Sequence, residues 1–269
     1  MQFSDSHISA QIIVTGGNSG LGYALANEIA STGKRILLIG RDLKSLKESQ
    51  LRLQEHHGDA EIMTLACDLS KPAEVHALTC ELRRCNDLEI VINNAGYTVD
   101  GDFNLTDLDL YRDLISVHIG AVTEITHATM NALIRNRGHL INIASIAAFL
   151  PSPGSPLYSS TKSFIFNFSQ SINARFKQQG LTCTVACPGY IRTNFHRRLG
   201  LNPEQTYRKR GLLKSHKSAD VAKSILKDAY NCKSLSIHGF NYKFAYMLIK
   251  VTPNWLMARI ASSITRPRL

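Results

Sequence analysis

A chain of 269 residues, 44% of them apolar, can bury one large core, so a single domain over 1–269 is expected. The net charge of +10 is uneven: from Tyr190 onward sixteen Lys/Arg face three Asp/Glu, a balance of +13, while residues 1–189 carry −3. A basic tail on an acidic body points to an anionic partner, and the absence of zinc-finger, basic-zipper or RNA-binding aromatic signatures argues against nucleic acid. The opening MQFSDSHISAQ lacks the basic and then apolar stretches of a secretory signal. No run approaches the roughly 20 apolar residues that cross a bilayer, so a cytoplasmic location is expected. The six cysteines include no CxxC pair. Cys183 and Cys187 read as sharing a strand, about 13 Å apart, too far for a disulfide, so reduced thiols are expected. His56-His57 has no ligand-bearing neighbours at useful spacing, and no metal is expected.

The first apolar, β-branched run covers residues 11–15 and leads into Gly16-Gly-Asn18-Ser19-Gly20-Leu21-Gly22. A helix-periodic stretch follows, with Gly33 as its expected C-cap. Strand, glycine-rich turn and helix form the context in which such a turn holds a pyrophosphate. The glycines allow close backbone approach, and the helix N-terminus offers free N–H groups and a positive dipole end. The second strand, 35–40, ends at Arg41-Asp42, where dinucleotide folds meet the adenosine ribose. Arg41 would pair with a 2′-phosphate, so NADP(H) is expected over NAD(H). In the other reading Arg41 is solvated and Asp42 holds the ribose.

Further on, a helix over 43–57 precedes a strand over 60–67 that ends in Asp68-Leu69. Asp68 would accept from the adenine amine or cap the helix starting near Pro72. Strand four, 88–93, runs into Asn94-Ala95-Gly96, whose small side chains let a flat ring lie against the strand end. A helix over 107–136, strand five (139–145), a helix over about 157–178 and strand six (181–187), closed by Pro188-Gly189, complete an alternating series. That alternation implies an α/β fold, a single doubly wound parallel sheet of Rossmann type with ligands at the strand C-terminal ends. Ser145 lies at such an end, and Tyr158 and Lys162 stand one helical turn apart on the next helix. A Tyr/Lys pair at this spacing is ordinarily just a helix-surface pair. Beside Ser145 and the cofactor turn, the three could hold a carbonyl oxygen and deliver a proton to it.

Over about residues 9–195 the sequence resembles the short-chain dehydrogenase/reductase family. The resembling pieces are Thr15-Gly16-x-x-x-Gly20-x-Gly22, Asp68, Asn93-Asn94-Ala95-Gly96, Ser145, Tyr158-x-x-x-Lys162 and Pro188-Gly189-x-x-x-Thr193. The resemblance implies that Tyr158 is the general acid/base and that Lys162 holds the nicotinamide ribose. Lys162 would also lower the tyrosine pKa from its usual value of about 10. It implies that Ser145 stabilises the charge developing on the substrate oxygen, and that Pro188, Gly189, Ile191 and Thr193 line the nicotinamide end. One departure stands out. Where many members carry a Val-Asn-x-x-Gly setting, with an asparagine thought to hold a proton-relaying water, this chain has Val117-His118-Ile119-Gly120. His118 would take over that relay or simply fill the site.

After Thr193 the resemblance thins. Residues 194–217, basic and broken by Gly200, Pro203 and Gly211, are expected to form a substrate lid, with Phe195, Leu199, Leu201, Tyr207, Leu212 and Leu213 facing an apolar substrate or the body. A helix over 219–232 and a strand near 235 precede a helical extension, 240–269. Its apolar, lysine-flanked first half would rest on an anionic membrane, or pack on its own body or a partner subunit. The expected function is NADP(H)-dependent interconversion of a carbonyl and an alcohol on a lipophilic small molecule. The rivals are a 3-oxoacyl reductase serving an acidic carrier protein or CoA, and a non-catalytic NADP-binding redox sensor. Phe164, Phe166 and Phe168 suit a homodimer or homotetramer.

Overall fold

The strands of this chain are apolar at successive positions, which only a sheet covered on both faces can satisfy. The computed structural model describes residues 8–58, 60–192, 214–253, 256–257 and 259. The strands are β1 (Ile12–Thr15), β2 (Ile36–Gly40), β3 (Ile62–Ala66), β4 (Ile90–Asn93), β5 (His139–Ile143), β6 (Thr182–Ala186), β7 (Ile191–Arg192), β8 (His216–Lys217) and β9 (Leu235–Ser236). Seven of them form one sheet in the order β3-β2-β1-β4-β5-β6-β9, and each neighbouring pair runs parallel. β7 and β8 pair separately. The doubly wound architecture expected from the alternation is the one observed.

Among the described residues the α-helices are α1 (Gly20–Ala30), α2 (Leu43–His56), α3 (Pro72–Leu82), α4 (Leu108–Ile115), α5 (Val122–Arg135), α6 (Pro156–Phe176), α7 (Ser218–Tyr230) and α8 (Phe240–Val251). Side chains along each strand alternate between two cores. Ile12, Val14, Leu38, Ile92 and Ile141 pack with α1, α2 and α7. Ile13, Leu37, Ile39, Val91 and Leu140 pack with α3 and α5. Pro72 and Pro156 stand in the first turns of α3 and α6, where a missing N–H costs no helical hydrogen bond.

Three boundaries differ from expectation. The helix expected over 107–136 is broken by a π-helical turn, Ser116–Ala121, which widens the spiral at His118. α1 stops at Ala30 with Ser31 as its C-cap, and Gly33 is left-handed in the loop beyond. β5 ends at Ile143, so Ser145 lies outside the strand and caps a 3₁₀ turn, Ile146–Phe149, by accepting from the Ala147 N–H. Most of the expected lid, Thr193 to Leu213 with its six apolar candidates, lies outside the described residues.

A buried polar ladder crosses the sheet just below the site. Asn93 and Asn142 stand opposite each other in register on β4 and β5. Asn93 Nδ2 donates to Thr126 Oγ1 at 3.2 Å and to Asn142 Oδ1 at 2.9 Å. Asn142 Nδ2 donates to Ser169 Oγ at 2.9 Å, and that hydroxyl donates to the Ile165 carbonyl at 2.6 Å. The ladder ties α5, both strands and α6 together by direct hydrogen bonds. Asn142→Ala would strand the amide of Asn93 in the core, and urea unfolding should show a loss of about 2–3 kcal/mol. A loss below about 0.5 kcal/mol would mean that the ladder adds nothing.

Candidate active site

Each loop leaving the middle of the sheet turns away at a strand C-terminus, and these ends meet along one edge. Thr15, the last residue of β1, binds the β1 and β4 ends together. Its hydroxyl accepts from the Asn94 and Ala95 N–H groups at 2.9 and 3.0 Å and donates to the Ile92 carbonyl at 3.3 Å. Asn94 Nδ2 donates back to the Thr15 carbonyl at 2.9 Å. Gly16 follows with φ +64°, a left-handed conformation that glycine adopts at no steric cost. Gly22 is required by contact, since a Cβ there would lie 2.3 Å from the Gly16 carbonyl oxygen. Asn18 and Ser19 complete the turn and Leu21 is buried in α1. Ser19 caps α1 in extended conformation without a side-chain hydrogen bond, and the first turn has no acid. The leading N–H groups and the positive dipole end therefore face the cleft unneutralised, ready for an anion.

At the tip of β2, Asp42 is spent on its own helix. One carboxylate oxygen accepts from the Lys44 and Ser45 N–H groups at 2.9 and 3.4 Å, and the other from the Ser45 hydroxyl at 2.7 Å. These bonds hold its carboxyl below the usual range, the Ser45 hydroxyl foremost. Arg41 beside it is exposed and makes no hydrogen bond or ion pair among the described residues. Asp68 accepts from the Ser70 N–H at 3.0 Å in a local turn and does not cap α3, whose N-cap is Lys71. Leu69 is buried beside it.

Ser145, Tyr158 and Lys162 converge above β5. Lys162 Nζ is 4% exposed and donates to the Ile143 carbonyl at 3.0 Å. Burial brings its pKa down to about 8. Among the described residues Ile143 is its one hydrogen-bond acceptor, so two of its three N–H donors remain for a ligand's hydroxyls. Tyr158 is partly exposed as a residue, yet burial pushes its phenol up to about 12, opposed by a hydrogen bond from Ser145. The ammonium stands 5.7 Å from the centre of the phenol ring. The expected lowering of the tyrosine pKa by the lysine is not among the causes of this shift. Desolvation of the phenolate is the largest of them.

His118 is fully buried behind this cluster, its ring 6.0 Å from that of Tyr158. Its Nε2 accepts the Tyr97 N–H at 3.2 Å, which places the ring proton on Nδ1. Nδ1 then donates to Thr161 Oγ1 at 2.8 Å, and the threonine hydroxyl donates to the Tyr158 carbonyl at 2.9 Å. Burial first, and the Lys162 charge second, hold the imidazole pKa well below its ordinary value. Gly96 lies against the same ring, where a Cβ would come within 2.7 Å of Nε2 and 3.5 Å of Lys162 Nζ.

Pro188 and Gly189 leave β6 beside this group, with Ile191 just beyond; Thr193 lies outside the described residues. A residue not singled out from the sequence shapes this turn. Tyr242 of α8 is fully buried, and its ring fills the space where a Gly189 Cβ would stand, 2.0 Å from the ring's Cζ. The Tyr242 hydroxyl accepts the Tyr190 N–H at 3.0 Å and donates to the Lys214 carbonyl at 3.1 Å. Tyr97, Thr161 and Asp100 were likewise missed. Asp100, which accepts from the Thr98 hydroxyl at 3.0 Å and from Ser155, opposes ionisation of Tyr158. Only the chain order Tyr97-x-x-Asp100, directly after Asn94-Ala95-Gly96, hinted at them.

The family model for short chain dehydrogenases matches residues 10–204. The chain is similar to dehydrogenase/reductase SDR family member 7B of Rattus norvegicus, with 29% identity over 192 residues covering 69% of this chain and 59% of that one. It is similar also to the very-long-chain 3-oxoacyl-CoA reductase of the same organism, 28% identical over 186 residues, covering 67% of this chain and 59% of that one. It thus spans about three fifths of the length of these two relatives. Among solved structures it is similar to a short-chain dehydrogenase from Sphingobium yanoikuyae in complex with NADPH, with a TM-score of 0.80 over 96% of each chain. At 24% identity that likeness is one of fold.

The buried ammonium gives a stability signature. Lys162 drops from 10.5 to about 8 on folding. Between pH 8 and 10 the unfolded chain therefore binds more protons than the folded one, and this residue makes stability rise with pH there by about 2 kcal/mol. Lys162→Met should abolish that rise and raise the urea midpoint at pH 7, because no charge is then buried. A mutant less stable at pH 7 with the slope intact would contradict this.

Proposed function

Because this chain belongs to the short-chain dehydrogenase family, as its match over residues 10–204 establishes, we propose that it interconverts a lipophilic ketone or aldehyde and the alcohol, using NADP(H). The observation that carries this reading is the convergence of Ser145, Tyr158 and Lys162 beside an uncapped helix N-terminus at the same sheet edge. The residues present fit a dinucleotide. Gly16 to Gly22 leave backbone exposed to a pyrophosphate, Asn94-Ala95-Gly96 and Pro188-Gly189 flank a flat ring, and Lys162 has donors to spare for a ribose. Arg41 stands for the 2′-phosphate, since Asp42 is committed to its helix. Bound there, the nicotinamide supplies or accepts the hydride.

The chain's own groups manage the proton. Tyr158, protonated at neutral pH, gives its phenolic proton to the carbonyl oxygen as that oxygen gains charge. Ser145 Oγ, held by the Ala147 N–H, directs its own proton toward the same oxygen and stabilises the alkoxide-like charge. The Lys162 ammonium favours the phenolate that results. A phenol resting in its acid form suits reduction of a carbonyl better than oxidation of an alcohol. His118 serves by position: both ring nitrogens are taken, so it fastens Tyr97 and Gly96 to the helix of Tyr158 and carries no proton. The finer partners, a homodimer or homotetramer and an acidic carrier, remain part of this proposal. A 3-oxoacyl thioester substrate is the second reading, favoured by the similarity to a very-long-chain 3-oxoacyl-CoA reductase and by the basic residues after Tyr190.

NADPH oxidation with a panel of lipophilic ketones, aldehydes and 3-oxoacyl thioesters tests the proposal. Tyr158→Phe should lower kcat by about 10²–10⁴-fold. No turnover with any carbonyl would favour the redox-sensor alternative. Arg41→Ala should raise KM for NADPH about tenfold or more and leave that for NADH unchanged. Equal effects on both cofactors would remove Arg41 from the 2′-phosphate. His118→Asn should lower kcat without removing an inflection between pH 5 and 8. If the mutation removes such an inflection, the imidazole is a proton carrier after all.

A further inference from the structure

The outer face of α8 is apolar and uncovered. Phe240 is 85% exposed, Phe244 47%, Met247 66%, Leu248 45% and Val251 79%. At 100° per residue these five fall within an arc of about 100°, opposite buried Tyr242, so they form one stripe. Tyr242 and Tyr246 anchor the helix from the other side, Tyr246 against Phe149 with ring centres 4.7 Å apart. Phe149 closes the 3₁₀ turn that begins at Ser145, so the stripe lies next to the active-site edge.

Charge identifies what covers it. Lys243 and Lys250 border the stripe on one side, and both are exposed. Residues 229–269 contain six Lys/Arg and no acid. A second copy pairing through this face would bring lysine rows together with no carboxylate on α8 to answer them, and the net charge of +10 adds to that repulsion. A lipid surface of negative charge satisfies both halves of the helix: acyl chains take the phenyl rings and Met247, and headgroups take the lysines. Among the described residues no helix is long and apolar enough to cross a membrane, so the contact lies in the surface plane. We propose that α8 docks this protein on anionic lipid through Phe240, Phe244, Met247 and Val251, with Lys243 and Lys250 at the headgroups. Lipophilic carbonyls are concentrated at such a surface, and the docked helix is the one whose Tyr246 packs on Phe149 of the Ser145 turn; this last point rests on the function proposed above.

The full chain should float with phosphatidylcholine vesicles containing phosphatidylglycerol, bind pure phosphatidylcholine at least tenfold less, and be released by high salt. Phe244→Ser/Met247→Ser and, separately, Lys243→Glu/Lys250→Glu should each reduce the bound fraction at least tenfold. Both should leave NADPH oxidation with a water-soluble ketone unchanged. Failure of the full chain to bind anionic vesicles, or unaltered binding by both variants, overturns the proposal. So does a shift from dimer to monomer in light scattering, caused by the serine pair in a chain that never bound vesicles, since a second copy would then be the occupant. Turnover without vesicle binding sinks the docking and leaves the carbonyl chemistry standing, and vesicle binding without turnover does the reverse.

Discussion

The hydrogen bond from Lys162 Nζ to the carbonyl of Ile143 decides how the rest of the site is arranged. An ammonium at this depth needs an acceptor, and the carbonyl of the last residue of β5 provides one. That single bond fixes the rotation of α6 against the sheet and so presents Tyr158, one turn earlier, toward Ser145. It also restricts the neighbours. The imidazole of His118 has its pKa held down by burial and then by the ammonium, Gly96 can carry no side chain against that ring, and the thiol of Cys187 is kept protonated by burial although the lysine charge opposes it. Stability is given up here for a positioned cation, as expected where a group's chemistry outweighs its comfort.

Most of the fold could be read from the sequence because its signals are local. Two-faced apolar strands, helical periodicity, glycine at a left-handed turn and proline in a first helical turn each depend on a few adjacent residues. For the same reason Gly16, Asn94, Ser145 and Pro188 were each expected at or just past a strand C-terminus, where the structure has them. Boundaries shifted where tertiary contact decided them: β5 ends two residues early because Ser145 bonds to Ala147, and the long helix opens into a π turn where His118 reaches Tyr97 and Thr161.

What was not legible depends on distance along the chain. His118 looked like a candidate proton carrier because imidazole usually is one. Only the arrival of the Tyr97 N–H at Nε2, 21 residues away, shows which ring nitrogen carries the proton. The charge logic that favoured Arg41 over Asp42 at the ribose could not show that both Asp42 carboxylate oxygens accept from the helix that follows. Tyr242 had no local signal at all: it is one tyrosine among nine, in a stretch without family resemblance.

Tyr242 bears on how the extension relates to the core. A glycine at the end of β6 would ordinarily leave space for a ligand or for backbone freedom. Here that space is filled from behind by the Tyr242 ring, while its hydroxyl joins Tyr190 to Lys214. The turn at Pro188-Gly189 is therefore as rigid as α8 makes it. α8 in turn is held by Phe149 on the far side of Ser145. A force on the outer face of α8 reaches the substrate side through two contacts, one at each flank of the site. An element that packs by one face and meets its surroundings by the other can couple the two. α8 thus braces the turn at Gly189 by its inner face and presents an apolar, lysine-bordered outer face, and losing it would loosen that turn before it affected the sheet.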